Sequence, residues 1–115
     1  MDFDISLLHD GRCALVRAQG DIDLVSRAGF ERALFHAVET GDPVVVDMRG
    51  VTFCDSAGLN AVVAAHRRAL ERGTHVSLIA LPPRVQRVFR ITGIDRFVPI
   101  HDTLRDALGA LPTAL

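Results

Sequence analysis

Hydrophobic positions along the chain change their spacing several times, and each change marks an element. Residues 3 to 8 (FDISLL) and 13 to 19 (CALVRAQ) are strand-like runs. Asp10-Gly11 lies between them and is a strong hairpin signal, so the chain opens with an antiparallel pair. Gly20-Asp21-Ile22-Asp23 ends the second strand and leads into a helix. Residues 24 to 39 place Phe30, Leu34, Ala37 and Val38 at helical spacing, with Arg27, Glu31 and Arg32 elsewhere on the surface. Gly41-Asp42-Pro43 stops that helix. Residues 44 to 48 (VVVDM) form a short β-branched run, as expected of a central strand buried on both faces.

After a predicted loop, residues 56 to 72 form a second helix with an apolar stripe of Leu59, Val62, Val63, His66, Ala69 and Leu70. Gly73 ends it. Residues 75 to 81 (HVSLIAL) read as a strand. Pro82-Pro83 opens a helix carrying Val85, Val88 and Phe89, since proline suits a first helical turn, and Gly93 closes it. Phe97 to Ile100 is a short last strand. Asp102 is the expected cap of a final helix with Leu104, Ala107, Leu108 and Leu111 on one face. The order β-β-α-β-α-β-α-β-α implies one α/β domain over residues 1–115. Its sheet should be mixed but mainly parallel, with about five strands and about four helices.

Composition narrows the function classes. The chain has 115 residues and a formal charge of −1, enough to bury one core without disulfides or metal. No apolar run approaches the ~18 residues of a membrane span. Met1 to Ser6 carry two aspartates and no basic cluster, unlike a signal peptide. A cytoplasmic location without membrane insertion is expected. All thirteen basic residues are arginine, and apart from Arg67, Arg68 and Arg72 they are scattered. No stripe suits a phosphate backbone, so direct nucleic-acid binding is not expected. Cys13 and Cys54 read as reduced, buried thiols, although Cys54 lies beside Asp55.

The most informative stretch is Val44 to Leu59, VVVDMRGVTFCDSAGL. It delivers Asp55-Ser56-Ala57-Gly58 to a helix start, where unpaired N–H groups favour negative charge. A phosphate on Ser56 would add about −1.5 to −2 charges and three strong acceptors. The helix end would tolerate it, while a partner docked on the bare helix end would not. Two structural explanations compete with this switch. Ser and Asp are common N-caps, and Gly58 can serve close packing alone.

The residues resemble the STAS family, specifically the bacterial anti-sigma factor antagonists, over nearly the whole chain. The resemblance rests on the order of elements, Gly20-Asp21-Ile22-Asp23, the apolar strand ending at Asp47, and Phe53-Cys54-Asp55-Ser56-Ala57-Gly58-Leu59. Pro83 to Phe89 match a Pro-x-Val-x-Arg-x-Phe pattern, with Thr92-Gly93-Ile94 behind it. The resemblance implies that Ser56 is phosphorylated by a partner anti-sigma factor that is a serine kinase. The unphosphorylated protein would bind that kinase and free a sigma factor, and a PP2C-type phosphatase would restore the serine. Asp21, Asp23, Asp55, Ala57, Gly58 and Leu59 are the implied partner-binding residues, in a monomer or weak dimer. The alternative within the family is an accessory or scaffold subunit of a stress-signalling or transporter complex.

Other chemistry is weakly signalled. His9, His36, His66, His75 and His101 show no metal-ligand spacing, and His66 reads as a packing residue. No metal or cofactor is expected. Asp21 and Asp23 lie two apart at a strand end without a base-and-nucleophile partner. Their alternatives are a docking role or an acidic turn feeding the next helix. Phosphate-loop motifs are absent. Ser56 lacks a G-x-S-x-G setting and an evident histidine partner, so no enzymatic role is expected. Arg67, Arg68 and Arg72 read as a solvated helix face.

Overall fold

The computed structural model describes residues 4–9 and 12–111. Strands β1 (Asp4–His9), β2 (Ala14–Ile22), β3 (Val44–Cys54), β4 (Val76–Ile79) and β5 (Ile100–His101) form one sheet in sequential order. β1 pairs antiparallel with β2, and the other pairings are parallel. Asp10-Gly11, the expected hairpin turn, lies outside the described residues. Helices α1 (Arg27–Glu39), α2 (Ser56–Glu71), α3 (Pro83–Ile91) and α4 (Leu104–Gly109) link or follow the strands.

Alternation along the parallel strands divides the core in two. Ala14, Val16, Val44, Val46 and Leu78 face one side, packed with Phe30 and Leu34 of α1, Val62 and Ala65 of α2, and Phe89 of α3. Cys13, Leu15, Val45 and Ile79 face the other, packed with Ala107 of α4. β3 is therefore buried on both faces, which explains its unbroken Val44-Val45-Val46 run. Phe30, Leu34 and Phe89 are fully buried, and each such side chain stabilises by about 1.5–3 kcal/mol.

Several boundaries differ from the sequence expectation. β3 continues six residues beyond Met48, through the segment expected to be a loop. Nine residues of β2 lie along eleven of β3. The register passes from Arg17↔Asp47 to Gln19↔Gly50, and from Gly20↔Val51 to Asp21↔Phe53. β3 thus holds one extra residue at each bulge. Met48, Val51 and Cys54 are buried at a spacing of three, with exposed residues between them. A period-2 reading misses such a strand.

β4 ends at Ile79 because Ala80 takes a left-handed conformation, φ 58°. β5 starts at Ile100, after a short 3-10 helix (Ile94–Arg96) and Pro99. Pro99 has no N–H to give a sheet ladder. α1 begins at Arg27 rather than residue 24. In α4 the cap is Thr103, not Asp102: its Oγ1 accepts the Asp106 N–H at 3.1 Å. Leu111 falls after that helix. Leu70, expected on the apolar stripe of α2, is about half exposed, and Ala61 and Ala65 take its place inside. Pro83 does open α3, and Gly73 and Gly93 follow α2 and α3 with φ of 78° and 79°.

Candidate functional site

β2 and β3 end side by side, and each hands over almost at once to a helix. Only Asp55 separates Cys54 from α2. Its N–H donates to the Ile22 carbonyl at 3.0 Å, pinning the junction to the end of β2. Its backbone is extended, and Oδ1 accepts from the Ala57 and Gly58 N–H groups at 2.9 and 3.1 Å. Asp55 is therefore the N-cap of α2. Ser56 is the first helical residue and is exposed, and among the described residues its hydroxyl has no hydrogen-bond partner. Of the two structural explanations open for this segment, capping belongs to Asp55 and leaves Ser56 unexplained.

Gly58 settles the other. A Cβ there would lie 2.6 Å from Cys54 Sγ and 2.7 Å from Ile22 Cγ2. The absence of a side chain lets the first turn of α2 sit directly on both strand ends. Gly58 and Leu59 are buried, so they support the face from beneath. Ala57 is half-buried. Burial, aided by the Asp55 charge, pushes the Cys54 thiol up to about 12. It stays protonated, the opposite of a reactive thiolate.

The turn between β2 and α1 is held by its own polar groups. Asp23 Oδ1 accepts from the Val25 and Ser26 N–H groups, both at 3.0 Å. Ser26 Oγ accepts the Asp23 N–H at 2.9 Å and donates to the Asp21 carbonyl at 2.7 Å. The Ser26 N–H is the main reason the Asp23 carboxyl is held below its usual range. The Asp21 carboxylate accepts from the Thr52 hydroxyl across the strand pair. Both aspartates flank the Ser56 junction, but each carboxylate is engaged in positioning the loop.

That loop presents Leu24 and Val25, 75% and 90% exposed, at the same end of the sheet as Phe53, 50% exposed. Sequence reasoning missed all three. Leu24 and Val25 fall within the span expected to be helical, and Phe53 within the Phe53 to Leu59 motif. A usable signal was present: large apolar residues beside Asp21, Asp23 and Asp55, where no regular spacing gives them a buried partner. Large apolar side chains exposed at one end of a sheet mark an interaction surface.

The far end of α2 is built differently. His66 is 4% exposed. Its Nδ1 accepts the Val76 N–H at 3.0 Å, and Phe97 packs edge-on against its ring at 4.8 Å. Burial lowers its pKa, and the neighbouring His75 adds to the effect. Arg68 pairs with Glu39 at 3.3 Å and Glu71 at 3.7 Å, and Arg72 pairs with Glu39 at 3.3 Å. Two of the three expected solvated arginines thus tie α2 to the end of α1. Among the described residues no group of three or more His, Cys, Asp or Glu is placed to hold a metal ion. No described helix is long and apolar enough to cross a membrane.

Comparison with known proteins identifies the family and the fold. The family model described as STAS domain matches residues 4–107. The anti-sigma-F factor antagonist RsfB of Mycobacterium tuberculosis is 29% identical over 101 residues, covering 87% of this chain and 81% of the relative. The crystal structure of an anti-sigma factor antagonist from Mycobacterium paratuberculosis superposes with a TM-score of 0.86 at 28% identity, covering 95% of this chain and 93% of that one. The Bacillus cell fate determinant SpoIIAA in its phosphorylated form shares the fold, with a TM-score of 0.69 at 17% identity over 94% of this chain and 97% of that one. The chain belongs to the STAS domain family.

Proposed function

We propose that the protein is an anti-sigma factor antagonist switched by phosphorylation of Ser56. Its partner is an anti-sigma factor with serine kinase activity. The unphosphorylated form binds that kinase and frees a sigma factor. The kinase phosphorylates Ser56, and a PP2C-type phosphatase reverses the step. The protein contributes a surface and a substrate hydroxyl rather than catalysis, and it works in the bacterial cytoplasm. The observation that carries this reading is the exposed, uncommitted Ser56 hydroxyl, excused from capping by Asp55 and lying at the same end of the sheet as the exposed Leu24, Val25 and Phe53.

The physics of the switch differs from simple acceptance of phosphate by a helix end. The Ala57 and Gly58 N–H groups are already taken by Asp55. A phosphate on Ser56 adds charge beside a carboxylate at the margin of an apolar surface. Docking must strip water from it, at an effective cost of several kcal/mol. The fold is spared because the group stays in solvent. Names of relatives as anti-sigma factor antagonists, and a phosphorylated form of SpoIIAA, support the reading.

Incubation with the kinase-type anti-sigma factor and ATP, followed by mass spectrometry, tests it. One phosphate on Ser56, absent from Ser56→Ala, is the expected result. Phosphate elsewhere, or continued modification of Ser56→Ala, contradicts it.

A further inference from the structure

The bulged half of β3 also forms one wall of a cleft of about 660 Å³. Arg49, Val51 and Thr52 line it from β3, and Pro83, Arg84 and Val85 line it from the start of α3. Its charge is one-sided. α3 carries Arg84, Arg87 and Arg90 and no acidic residue. Arg84 lies in the first helical turn, where a cation opposes the helix dipole, so helix stability does not explain it. Arg87 follows one turn later, and Ile91, one turn beyond, is 75% exposed.

Three arginines outside the cleft are held in ion pairs, Arg17 with Asp47, and Arg68 and Arg72 with Glu39. Arg49, Arg84 and Arg87 have no ion-pair partner among the described residues.

We infer that this cleft docks an acidic segment of a partner protein, with carboxylates on Arg49 and Arg84 and an aliphatic side chain between them on Pro82 and Pro83. Guanidinium groups suit carboxylates because their paired N–H donors match the two oxygens. Proline on the wall gives a surface that loses little entropy on binding. Single-stranded nucleic acid fits less well, because the lining contains no aromatic ring on which a base could stack. The cleft adjoins the Ser56 end of the sheet through Thr52, whose hydroxyl bonds Asp21. One partner can therefore span both, yet the cleft does not depend on Ser56 being modified.

The test is an NMR titration of the ¹⁵N-labelled protein with a short synthetic peptide alternating glutamate and leucine. A lysine–leucine peptide and oligouridylate serve as comparisons. The expected result is shifts of the Val51, Thr52, Arg84 and Val85 amides that weaken as salt rises. The Arg49→Glu/Arg84→Glu variant should lose about tenfold or more in affinity. Arg68→Glu, whose charge is engaged elsewhere, should bind as the wild type does. Both sites of the double variant are on the surface, and its own spectrum reports whether it is folded. If the charge reversal perturbs folding, Arg49→Gln/Arg84→Gln should show the same loss. Absence of shifts, shifts centred elsewhere, equal binding of the lysine peptide, tighter binding of oligouridylate, or an unaffected double variant each overturns the proposal.

Discussion

The two ends of α2 use the same kinds of side chain for opposite purposes. At its C-terminal end polar groups are consumed internally. His66 bonds a sheet amide, Arg68 and Arg72 grip Glu39, and Phe97 covers the imidazole. At its N-terminal end Asp55 and Asp23 satisfy the backbone, which leaves the Ser56 hydroxyl, Leu24, Val25 and Phe53 facing out. One end anchors the helix and the other displays it. An acidic residue beside a serine is therefore informative only once its hydrogen bonds are known. Here they free the serine.

Mutations should separate the two ends, and the largest stability effect belongs to the anchored one. His66→Ala strands the Val76 N–H and removes a packed ring. It should cost about 2–4 kcal/mol in chemical denaturation while leaving kinase affinity of the folded protein unchanged. The display end should show the reverse. Leu24→Ser combined with Phe53→Ser should weaken kinase binding about 100-fold in calorimetry, as loss of central apolar anchors does. Its stability should change by only about 1 kcal/mol, because Leu24 is mostly in water and Phe53 is half exposed. Equal stability losses from the two sets would erase the distinction.

Gly58→Ala sits between these cases. The added methyl meets Cys54 and Ile22, and the strain should cost about 1–2 kcal/mol, partly offset by better helix propensity. Its thermal midpoint should fall, and kinase affinity with it, since the first turn must lift. Acid should act through the anchored end. The His66 pKa is lowered in the fold, so the folded state binds fewer protons than the unfolded one. That stability is present above the unfolded value near 6.5 and is lost as pH falls through the lowered value. Denaturation series from pH 7 towards pH 5 should show a steeper loss for wild type than for a folded His66→Gln variant. The smallest effect is Arg68→Ala, at most ~1 kcal/mol and vanishing in high salt, because its ion pairs are half exposed.

Much of this was legible in the chain. The buried residues of α1 follow their helical spacing, and prolines and glycines mark helix limits. The unbroken Val44-Val45-Val46 run announces a strand covered on both faces. Three features were hidden for a common reason: side chains and backbone were exchanging roles. The second half of β3 breaks period two because two bulges insert residues into it. Asp23 reads as a docking residue or part of an acidic turn until its bonds to Val25 and Ser26 make it a fastener. Leu24 and Val25 imitate the start of an amphipathic helix, yet the chain turns on Asp23 before α1 begins. Spacing reports burial, and here the residues of interest are those whose burial was withheld.

The central claim is that Ser56 controls binding without controlling folding. Calorimetric titration of the kinase-type anti-sigma factor with the unmodified protein and with its stoichiometric Ser56 phosphoform, alongside the thermal midpoint of each, measures both halves at once. The account predicts affinity lower by about 100-fold or more for the phosphoform, as several kcal/mol of desolvation requires, with nearly equal midpoints. Equal affinities, or an affinity loss that merely tracks unfolding of the phosphoform, would contradict it.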